Sequence, residues 1–354
     1  MKVNIIALLI PTLTSGGAER VMSVLANKLS EDENIEVHLI LYLRDERFYT
    51  ISDKVIIHSP DFDYRNFSKM KSTFKTFGYL RQILRKIKPY ALLSFGGKYN
   101  SLVLLSSSGL GINSYISDRS RPGISYGKGQ NFINPIVYRF SKGIIAQTFK
   151  AKEVAFQKTK HSNIVVIPNP IPNLNNNEVA KEKIILNIGR FIATKQQLRL
   201  IETFAQIENK DWKLIFLGDG EYFEQCKELV AQLNMQEQIL LLGVEKDINK
   251  YLSKSMIFAF TSISEGFPNS LAEAMSAGCA CISFDCVAGP SDIIDHEKNG
   301  FLVPVNDWET YSMQLSELMQ NEDVRSGFGV EARKKAKLFS EDSIVNEFKT
   351  TLLN

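Results

Sequence analysis

The sequence predicts an α/β fold made of two doubly wound domains. Apolar runs of strand length alternate with helical patterns from one end of the chain to the other. The runs are continuously apolar, which is typical of parallel sheets covered on both faces. The segment Pro168–Asn177 is rich in Pro and Asn and can propagate neither element. We therefore expect one domain over residues 1–168 and a second over 169–340.

Length and composition are those of a soluble globular protein. The chain has 354 residues, of which 44% are hydrophobic and 23% charged, enough for two domains of ordinary size. A net charge of +3 is too small to define a partner. The four cysteines, Cys226, Cys279, Cys281 and Cys286, have no zinc-type spacing and predict small buried thiols in a reducing compartment.

The apolar N-terminal run superficially suggests a signal peptide. It is short, contains Asn4 and leads into Gly16 and Gly17 without a small-residue cleavage site. We interpret Val3–Ile10 as a buried first strand. No segment approaches the roughly 20 apolar residues that span a bilayer, so we expect a cytoplasmic protein.

The two domains are each predicted to hold six strands. These strands are Val3–Ile10, Val37–Leu43, Ala91–Phe95, Tyr115–Ser117, Ile144–Gln147, Ile164–Ile167, Lys183–Ile188, Lys213–Leu217, Ile239–Leu242, Ile257–Thr261, Ala280–Phe284 and Phe301–Val303. The pattern predicts helices at Ala18–Leu29, Gln196–Gln206 and Tyr222–Leu233.

The segment Ser264–Gly278 carries two glutamates, Glu265 and Glu273, between a predicted strand and a helix. A strand, a polar turn and a helix N-terminus form an anion site, because the first N–H groups of the helix have no internal partner. The carboxylates are suited to sugar or ribose hydroxyls, which suggests a nucleotide-sugar site. Ser270 and Glu273 also fit a capping box that needs no ligand.

Three further loops follow predicted strands. Gly16 and Gly17 come after the first strand, Arg190 and Lys195 after the first strand of the second half, and Gly218–Gly220 after the next. The two cations together would neutralise a diphosphate leaving group. The glycines let the backbone approach a ligand, although plain turns and solvated loop cations explain each loop equally well.

Taken together, these motifs resemble the retaining GT-B glycosyltransferases of glycosyltransferase family 4, also called glycosyl transferases group 1. The resemblance covers nearly the whole chain, and the segments that carry it are Gly16–Arg20, Ile167–Pro170, Gly189 to Lys195, Gly218–Gly220, Glu265 with Glu273, Gly278 and Asn299–Val303. It implies two Rossmann-like domains facing across a cleft. Residues 1–168 would bind the acceptor, residues 169–340 the donor, and a last helix at about 341–354 would cross back to the first domain.

The resemblance also implies residue roles. Arg190 and Lys195 would bind the donor diphosphate, Glu265 the donor sugar and Glu273 the ribose. The positions expected to bring backbone close to the donor are Gly16, Gly17, Gly189, Gly218, Gly220, Gly266, Phe267, Pro268, Asn269, Ser270 and Leu271. Neither a cofactor nor a metal is expected, since cations and a helix dipole would replace a divalent ion.

Two departures from the family pattern stand out. Gln196 replaces the glycine that many members have after the lysine. Arg119 stands where many members have a histidine, after the strand Tyr115–Ser117. Arg119 cannot serve as a base, whereas Asp118 could orient an acceptor hydroxyl or take its proton. Both stay candidate catalytic residues.

Residues 65–88 contain eight Lys or Arg and no acid. Apolar residues recur there at three- and four-residue steps, and the expected apolar face consists of Met70, Phe74, Phe77, Leu80, Leu84 and Ile87. This pattern predicts a basic amphipathic helix. The helix packs on its own domain, or it lies on anionic lipid; nucleic acid is disfavoured because no recognition module accompanies it. The cations of this surface are Lys69, Lys71, Lys75, Arg81, Arg85 and Lys86.

The resemblance thus predicts a retaining, metal-independent hexosyltransferase, peripheral on the cytoplasmic face of the inner membrane. It would move a hexose or N-acetylhexosamine, of galactose, N-acetylgalactosamine or glucose type, from a UDP-sugar to a lipid-linked glycan or surface polysaccharide intermediate. Two alternatives stay open. One is a GT-B sugar-nucleotide epimerase, and the other is a non-catalytic nucleotide-sugar or glycolipid-binding protein.

Overall fold

The computed structural model describes residues 3–174, 179–208 and 211–354. The chain divides into an N-terminal unit, residues 1–170 with 341–354, and a C-terminal unit, residues 171–340. The first division lies two residues after the one expected from the sequence. The end of the predicted linker, residues 175–177, falls outside the described residues.

The N-terminal unit is built on a seven-stranded parallel sheet. Its strands are β1 (Asn4–Ile10), β2 (Ile35–Leu41), β3 (Ile56–His58), β4 (Ala91–Phe95), β5 (Asn113–Ser117), β6 (Gly143–Ala146) and β7 (Ile164–Val166). Their order is β3-β2-β1-β4-β5-β6-β7. The helices between them are α1 (Gly17–Leu29), α2 (Lys69–Ile87), α3 (Asn100–Ser107), α4 (Lys128–Val137) and α5 (Phe149–Thr159).

The apolar N-terminal run is the central strand of this sheet. β1 pairs in parallel with β2 on one side and β4 on the other, and Ile6 to Ile10 are buried. The sequence did not predict β3, because three partly exposed residues carry no recognisable pattern.

The C-terminal unit has a six-stranded parallel sheet. Its strands are β8 (Glu182–Ile188), β9 (Lys213–Leu217), β10 (Ile239–Leu241), β11 (Ser255–Phe260), β12 (Ala280–Phe284) and β13 (Gly300–Val303). Its helices are α6 (Gln197–Gln206), α7 (Phe223–Gln232), α8 (Ile248–Lys254), α9 (Asn269–Ser276), α10 (Pro290–Ile293), α11 (Trp308–Gln320) and α12 (Glu322–Ala336). The order β10-β9-β8-β11-β12-β13 reverses direction between β8 and β11, and ligands of doubly wound sheets bind at such a switch point.

The last helix, α13 (Glu341–Leu353), belongs to the N-terminal unit. It packs against α1 and β4, and its buried residues Ile344, Phe348 and Leu352 recur every four positions. Lys349 hydrogen-bonds Asp32, which lowers the pKa of that carboxyl to about 2.

The four cysteines are free thiols in buried positions, as the sequence predicted. Burial raises the pKa of Cys226 and of Cys286 to about 12. Across residues 3–174, 179–208 and 211–354, no helix has the length and hydropathy that crossing a membrane requires.

The predicted apolar face of α2 is wrong in its first half. The helix buries Ser72, Thr76, Leu80 and Leu84, while Met70 and Phe74, both assigned to the apolar face, are 73% and 71% exposed. The side of α2 that packs on the domain therefore has one buried residue every four positions, and the first two of these residues are small and polar.

A pair of histidines joins β2 to β3. His38 Nδ1 lies 2.8 Å from His58 Nε2, and His38 Nε2 lies 2.7 Å from a Glu36 carboxylate oxygen. Burial, with His38 and then Lys86 nearby, lowers the pKa of His58 below its ordinary value of 6.5. The folded protein thus binds fewer protons than the unfolded chain as the pH falls through that range.

We expect the free energy of unfolding to decrease between about pH 7.5 and pH 5.5, because protonation of His58 favours the unfolded chain. Urea denaturation at both values checks this in the wild type and in His58→Asn. The variant should lose less stability on acidification. An equal loss in both proteins would contradict this assignment.

Candidate functional site

The loops that follow β8 and β11 are bonded to each other at the carboxyl edge of the sheet. Thr261 Oγ1 donates to the Lys195 carbonyl at 2.7 Å, and Ile263 N donates to the Thr194 carbonyl at 2.9 Å. Within the sheet, Asn187 Nδ2 donates to the Ala259 carbonyl at 2.8 Å. These bonds fix the two loops at the switch point. We did not single out Asn187 or Thr261 from the sequence, although a polar residue in an apolar strand was the available signal.

Lys195 and Glu265 form an ion pair across these loops. Their side chains are only 19% and 14% exposed, so solvent screens the pair less than it screens a surface ion pair. Lys195 Nζ also lies 5.2 Å from the centre of the Phe260 ring. The fold thus brings together a predicted diphosphate ligand and a predicted sugar ligand that are seventy positions apart in sequence.

Arg190 is exposed just beyond the end of β8. Its carbonyl accepts a hydrogen bond from Gln197 Nε2 at 3.1 Å, which holds the backbone while the guanidinium stays at the surface. Among residues 3–174, 179–208 and 211–354, no carboxylate forms an ion pair with Arg190. An anion can therefore reach this side chain at the switch point.

Gln196, where the family pattern has glycine, adopts a left-handed backbone with φ 54° and ψ 35°. Glycine occupies this region without strain, which explains the usual residue. Gln196 Nε2 donates to Asn306 Oδ1 at 2.9 Å. The substitution therefore preserves the turn, and Lys195 keeps its position.

Gly218 and Gly220 allow the loop after β9 to touch the loop after β8. Their φ values are +134° and +153°, and an added Cβ would lie 2.0 Å from the Gly189 carbonyl oxygen and 2.5 Å from that of Phe191, respectively. Phe191 N also donates to the Asp219 carbonyl at 2.9 Å. Both glycines thus serve backbone packing, and an approach to the donor stays a prediction.

The capping-box interpretation of Ser270 and Glu273 is wrong. α9 begins at Asn269 with Pro268 as its N-cap and no side-chain cap. Ser270 is its second residue, and its Oγ donates instead to the Ile188 carbonyl at 3.3 Å. This bond ties the helix start to the end of β8. Glu273 is 2% exposed on the same helix.

The apolar residues of this turn are part of the core. Phe267 and Leu271 are buried, and Phe267 packs edge-on against Phe339 with ring centres 6.1 Å apart. Pro268 is also buried, beside Gly289, where an added Cβ would lie 2.3 Å from the proline Cδ. These side chains hold the turn, while an approach of the Gly266–Leu271 backbone to the donor stays a prediction.

Gly16 and Gly17 begin α1 in the N-terminal unit. A Cβ on Gly16 would lie 2.2 Å from Glu19 Oε2, so the Glu19 carboxyl folds over this glycine. Burial raises the pKa of Glu19. The Tyr49 hydroxyl donates to the Gly16 carbonyl at 3.0 Å. The loop is therefore closely packed by two side chains.

Asp118 lies directly after β5, at the wall of a cavity. Its Oδ1 accepts from the Tyr126 hydroxyl at 2.6 Å and from Ser120 N at 3.1 Å, and burial raises its pKa. The cavity has a volume of about 330 Å³, and Ile124, Pro135 and other mostly apolar residues line it together with Asp118 and Tyr126. A half-buried carboxylate thus faces a space large enough for part of a ligand.

Arg119 packs inside the N-terminal unit. Its guanidinium carbon lies 4.3 Å from the Phe95 ring centre and 5.3 Å from that of Phe348. Nη1 donates to Asn169 Oδ1 at 2.9 Å. Burial lowers the pKa of Arg119 to about 9. This geometry supports a structural role that joins β4, α13 and the start of the linker, while catalysis by Arg119 stays a prediction.

We expect Gly218→Ala to lower the free energy of unfolding by about 3 kcal/mol, because its φ and its 2.0 Å contact both exclude a side chain. Gly243→Ala is the matched control, since its φ is also positive but an added Cβ meets nothing within 4 Å. The control should lose only about 1 kcal/mol. Urea denaturation of both proteins checks the difference, and equal losses would contradict the packing role.

We expect Gln196→Gly to be more stable than Gln196→Ala by about 1 kcal/mol. Both variants lose the side-chain amide, so the comparison isolates the left-handed backbone. Thermal denaturation with matched buffers measures the difference. Equal stabilities would show that this turn does not depend on glycine-like conformational freedom.

Comparison with known proteins identifies a family domain in the C-terminal unit. The sequence profile of Glycosyl transferases group 1 matches residues 173–335. This range covers the C-terminal unit from the linker to the end of α12. It includes Arg190, Lys195, Glu265 and Glu273.

Curated relatives extend the similarity to the whole chain. The amylovoran biosynthesis glycosyltransferase AmsD of Erwinia amylovora is 25% identical over 347 residues, covering 96% of each chain. The N-acetylgalactosamine-N,N'-diacetylbacillosaminyl-diphospho-undecaprenol 4-alpha-N-acetylgalactosaminyltransferase of Campylobacter jejuni is 27% identical over 365 residues, covering 97% of each.

A solved structure shows the same fold. HepE of Anabaena, crystallised in complex with UDP, matches with a TM-score of 0.81 over 99% of both chains at 16% sequence identity. The two parallel-sheet α/β units are those of the GT-B glycosyltransferases. The chain therefore carries a Glycosyl transferases group 1 domain at residues 173–335 and has the fold of the GT-B glycosyltransferases.

Proposed function

We propose that the protein is a retaining hexosyltransferase. It moves a hexose or N-acetylhexosamine from a UDP-sugar to a hydroxyl of a lipid-linked glycan or surface polysaccharide intermediate. The observation that carries this proposal is the Lys195–Glu265 ion pair at the switch point of a group 1 domain, beside the exposed Arg190. The pair places a cation and a hydroxyl-binding carboxylate next to each other.

Lys195 and Arg190 bind the donor diphosphate in this mechanism. As the bond between the sugar and UDP breaks, negative charge grows on the departing phosphate, and nearby cations stabilise that charge. The N-terminus of α9 adds its partial positive charge. Glu265 accepts hydrogen bonds from the transferred sugar, and Glu273 accepts those of the ribose.

The N-terminal unit holds the acceptor. Asp118 orients the attacking hydroxyl or takes its proton, and a raised pKa makes this carboxylate a stronger base. In a front-face displacement the departing phosphate itself takes the proton, so no further base is needed. The two cations make a divalent ion unnecessary.

Names of relatives support the substrate class. The Campylobacter jejuni relative is named for a diphospho-undecaprenol glycan, and the Erwinia amylovora relative for amylovoran biosynthesis. HepE was crystallised with UDP. These names support UDP as the donor nucleotide and, as the acceptor, a glycan that is carried on lipid or destined for a surface polysaccharide.

The protein acts as a peripheral enzyme on the cytoplasmic face of the inner membrane. On α2, Lys69, Lys71, Lys75, Arg85 and Lys86 are exposed and attract anionic lipid. Arg81 differs, because its Nη1 donates to the Ser106 and Ser108 carbonyls at 3.1 and 3.0 Å. This arginine fixes α2 to the end of α3.

We expect Arg190→Ala, Lys195→Ala and Glu265→Ala each to lower UDP release by roughly 100-fold to 1,000-fold, because each removes a group that meets developing charge or the transferred sugar. The assay is a UDP-sugar panel with and without membrane extract. Lys183→Ala is the control, since Lys183 is exposed on the same strand β8 near its opposite end. Full turnover in the Lys195→Ala/Glu265→Ala double variant would refute this site.

Turnover should continue in excess EDTA, and an α-configured donor should give an α-linked product. Proton NMR coupling constants of the product test the configuration. A β-linked product would refute retention, and activity restored only by a divalent ion would refute metal independence. An epimerised sugar without a transfer product would indicate the epimerase alternative.

A further inference from the structure

The helices α2 to α5 form one layer beside the N-terminal sheet, with contacts from α2 to α3, α3 to α4 and α4 to α5. The outer side of α4 and α5 exposes an unusual group of large apolar side chains. This α4–α5 apolar surface consists of Phe132, Ile133, Ile136, Phe140, Phe149 and Phe156. Four phenylalanines in contact with water are costly and indicate an interaction site.

The spacing of these residues makes the surface continuous along each helix. Phe132, Ile136 and Phe140, which are 72%, 48% and 80% exposed, recur every four positions on one side of α4 and the turn that follows it. The opposite side buries Asn134 and Val137. On α5, Phe149 and Phe156 lie two turns apart and share a side.

The C-terminal unit differs in this respect. In its described residues, 171–174, 179–208 and 211–340, the large apolar side chains of comparable exposure are aliphatic, such as Val244 and Met313, and no aromatic ring is among them. The exposed rings are therefore a property of one unit, and chiefly of one helical layer within it.

Charge identifies the partner. Residues 65–160, which span this layer, contain 18 Lys or Arg, and their only acids are Asp118 and Glu153. The remainder of the chain has 24 Lys or Arg against 37 Asp or Glu. The α4–α5 apolar surface thus lies in a strongly basic part of a nearly neutral chain, among exposed lysines that include Lys128, Lys152 and Lys160.

We propose that the α4–α5 apolar surface seats the protein on an anionic lipid bilayer. The phenylalanines enter the boundary between headgroups and acyl chains, while the surrounding lysines meet anionic headgroups. A second copy of this chain fits poorly, since two basic faces would repel each other. On α2, Met70 and Phe74 with Lys71 and Lys75 provide the same combination at the far side of the layer.

This surface deepens the proposed function, because a lipid-linked acceptor lies in such a bilayer. The inserted rings change how the membrane binding depends on salt. Binding by basic residues alone would be lost at high salt, because salt screens their attraction to anionic headgroups. Aromatic rings inserted into the lipid would retain part of the binding at high salt. The cavity beside Asp118 lies on the inner side of α4, which lines it through Asn131, Asn134 and Pro135. Seating α4 on lipid would bring this cavity close to the membrane.

The test uses the full-length chain and sedimentation with vesicles of phosphatidylcholine and phosphatidylglycerol at about three to one. We expect Phe132→Ser/Phe140→Ser to lower the bound-to-free ratio at least about tenfold, because two large apolar side chains no longer enter the lipid. The control Val244→Ser/Met313→Ser removes side chains that are 76% and 60% exposed in the C-terminal unit. It should bind like the wild type.

Two further measurements separate the outcomes. Vesicles of phosphatidylcholine alone should bind the wild type at least tenfold less, because the lysines then lack anionic partners. In about 0.5 M salt on the anionic vesicles, residual binding of the wild type should exceed that of Phe132→Ser/Phe140→Ser. The proposal would be overturned if the wild type and Phe132→Ser/Phe140→Ser bound the anionic vesicles equally both at low salt and in about 0.5 M salt. It would also be overturned if vesicle binding were lost only on neutralising Lys69, Lys71 and Lys75.

A dimer seen by analytical ultracentrifugation in the wild type and lost in Phe132→Ser/Phe140→Ser would show that a second copy covers this surface, and would also overturn the proposal. The vesicle assay contains neither donor nor acceptor, so its result does not depend on the proposed function. Vesicle binding without UDP-sugar turnover would refute the enzyme and leave the surface. UDP-sugar turnover together with unimpaired vesicle binding by Phe132→Ser/Phe140→Ser would refute the membrane surface and leave the proposed enzyme.

Discussion

The candidate site depends on one constraint, the bonding of the loop after β8 to the loop after β11. Hydrogen bonds from Thr261 and Ile263 hold the backbone of Thr194 and Lys195, and the largely buried Lys195–Glu265 ion pair closes the contact. These loops follow the two neighbouring strands between which the sheet order reverses direction. Two cations, a carboxylate and a helix start therefore follow neighbouring strands at the switch point, where ligands of doubly wound sheets bind.

Close contact between neighbouring backbone segments explains several residues that would otherwise be assigned to ligand binding. Gly218 and Gly220 are needed where two loops touch, and Ser270 ties α9 to the end of β8 instead of capping the helix. Residues of a motif can therefore be required at a site because they hold its loops in place, even where their side chains face the core. Phosphate binding by the backbone at the helix start, and by Arg190 and Lys195, stays a prediction.

The two units differ in the surface they present. The N-terminal unit combines exposed aromatic rings with a large excess of cations. The carboxylate that lines its cavity, Asp118, is half-buried and has a raised pKa. Arg119, which stands at the position of a family histidine, packs between Phe95 and Phe348. A residue that departs from the family pattern has thus become part of the core that holds α13 in place.

The sequence alone determined the fold class, because continuous apolar strands between helices suit only parallel sheets covered on both faces. It also predicted the cations and glutamates of the candidate site from their order along the chain. Short or half-exposed elements such as β3 were not predicted, since three residues are too few to show a periodic pattern of apolar side chains. Only the tertiary structure decided what each side chain contacts. In the structure, Lys195 pairs with Glu265 across seventy positions, and Met70 and Phe74 are exposed. Ser270 bonds the end of β8 instead of capping α9. Such contacts depend on which loops and helices meet in space rather than on any local pattern.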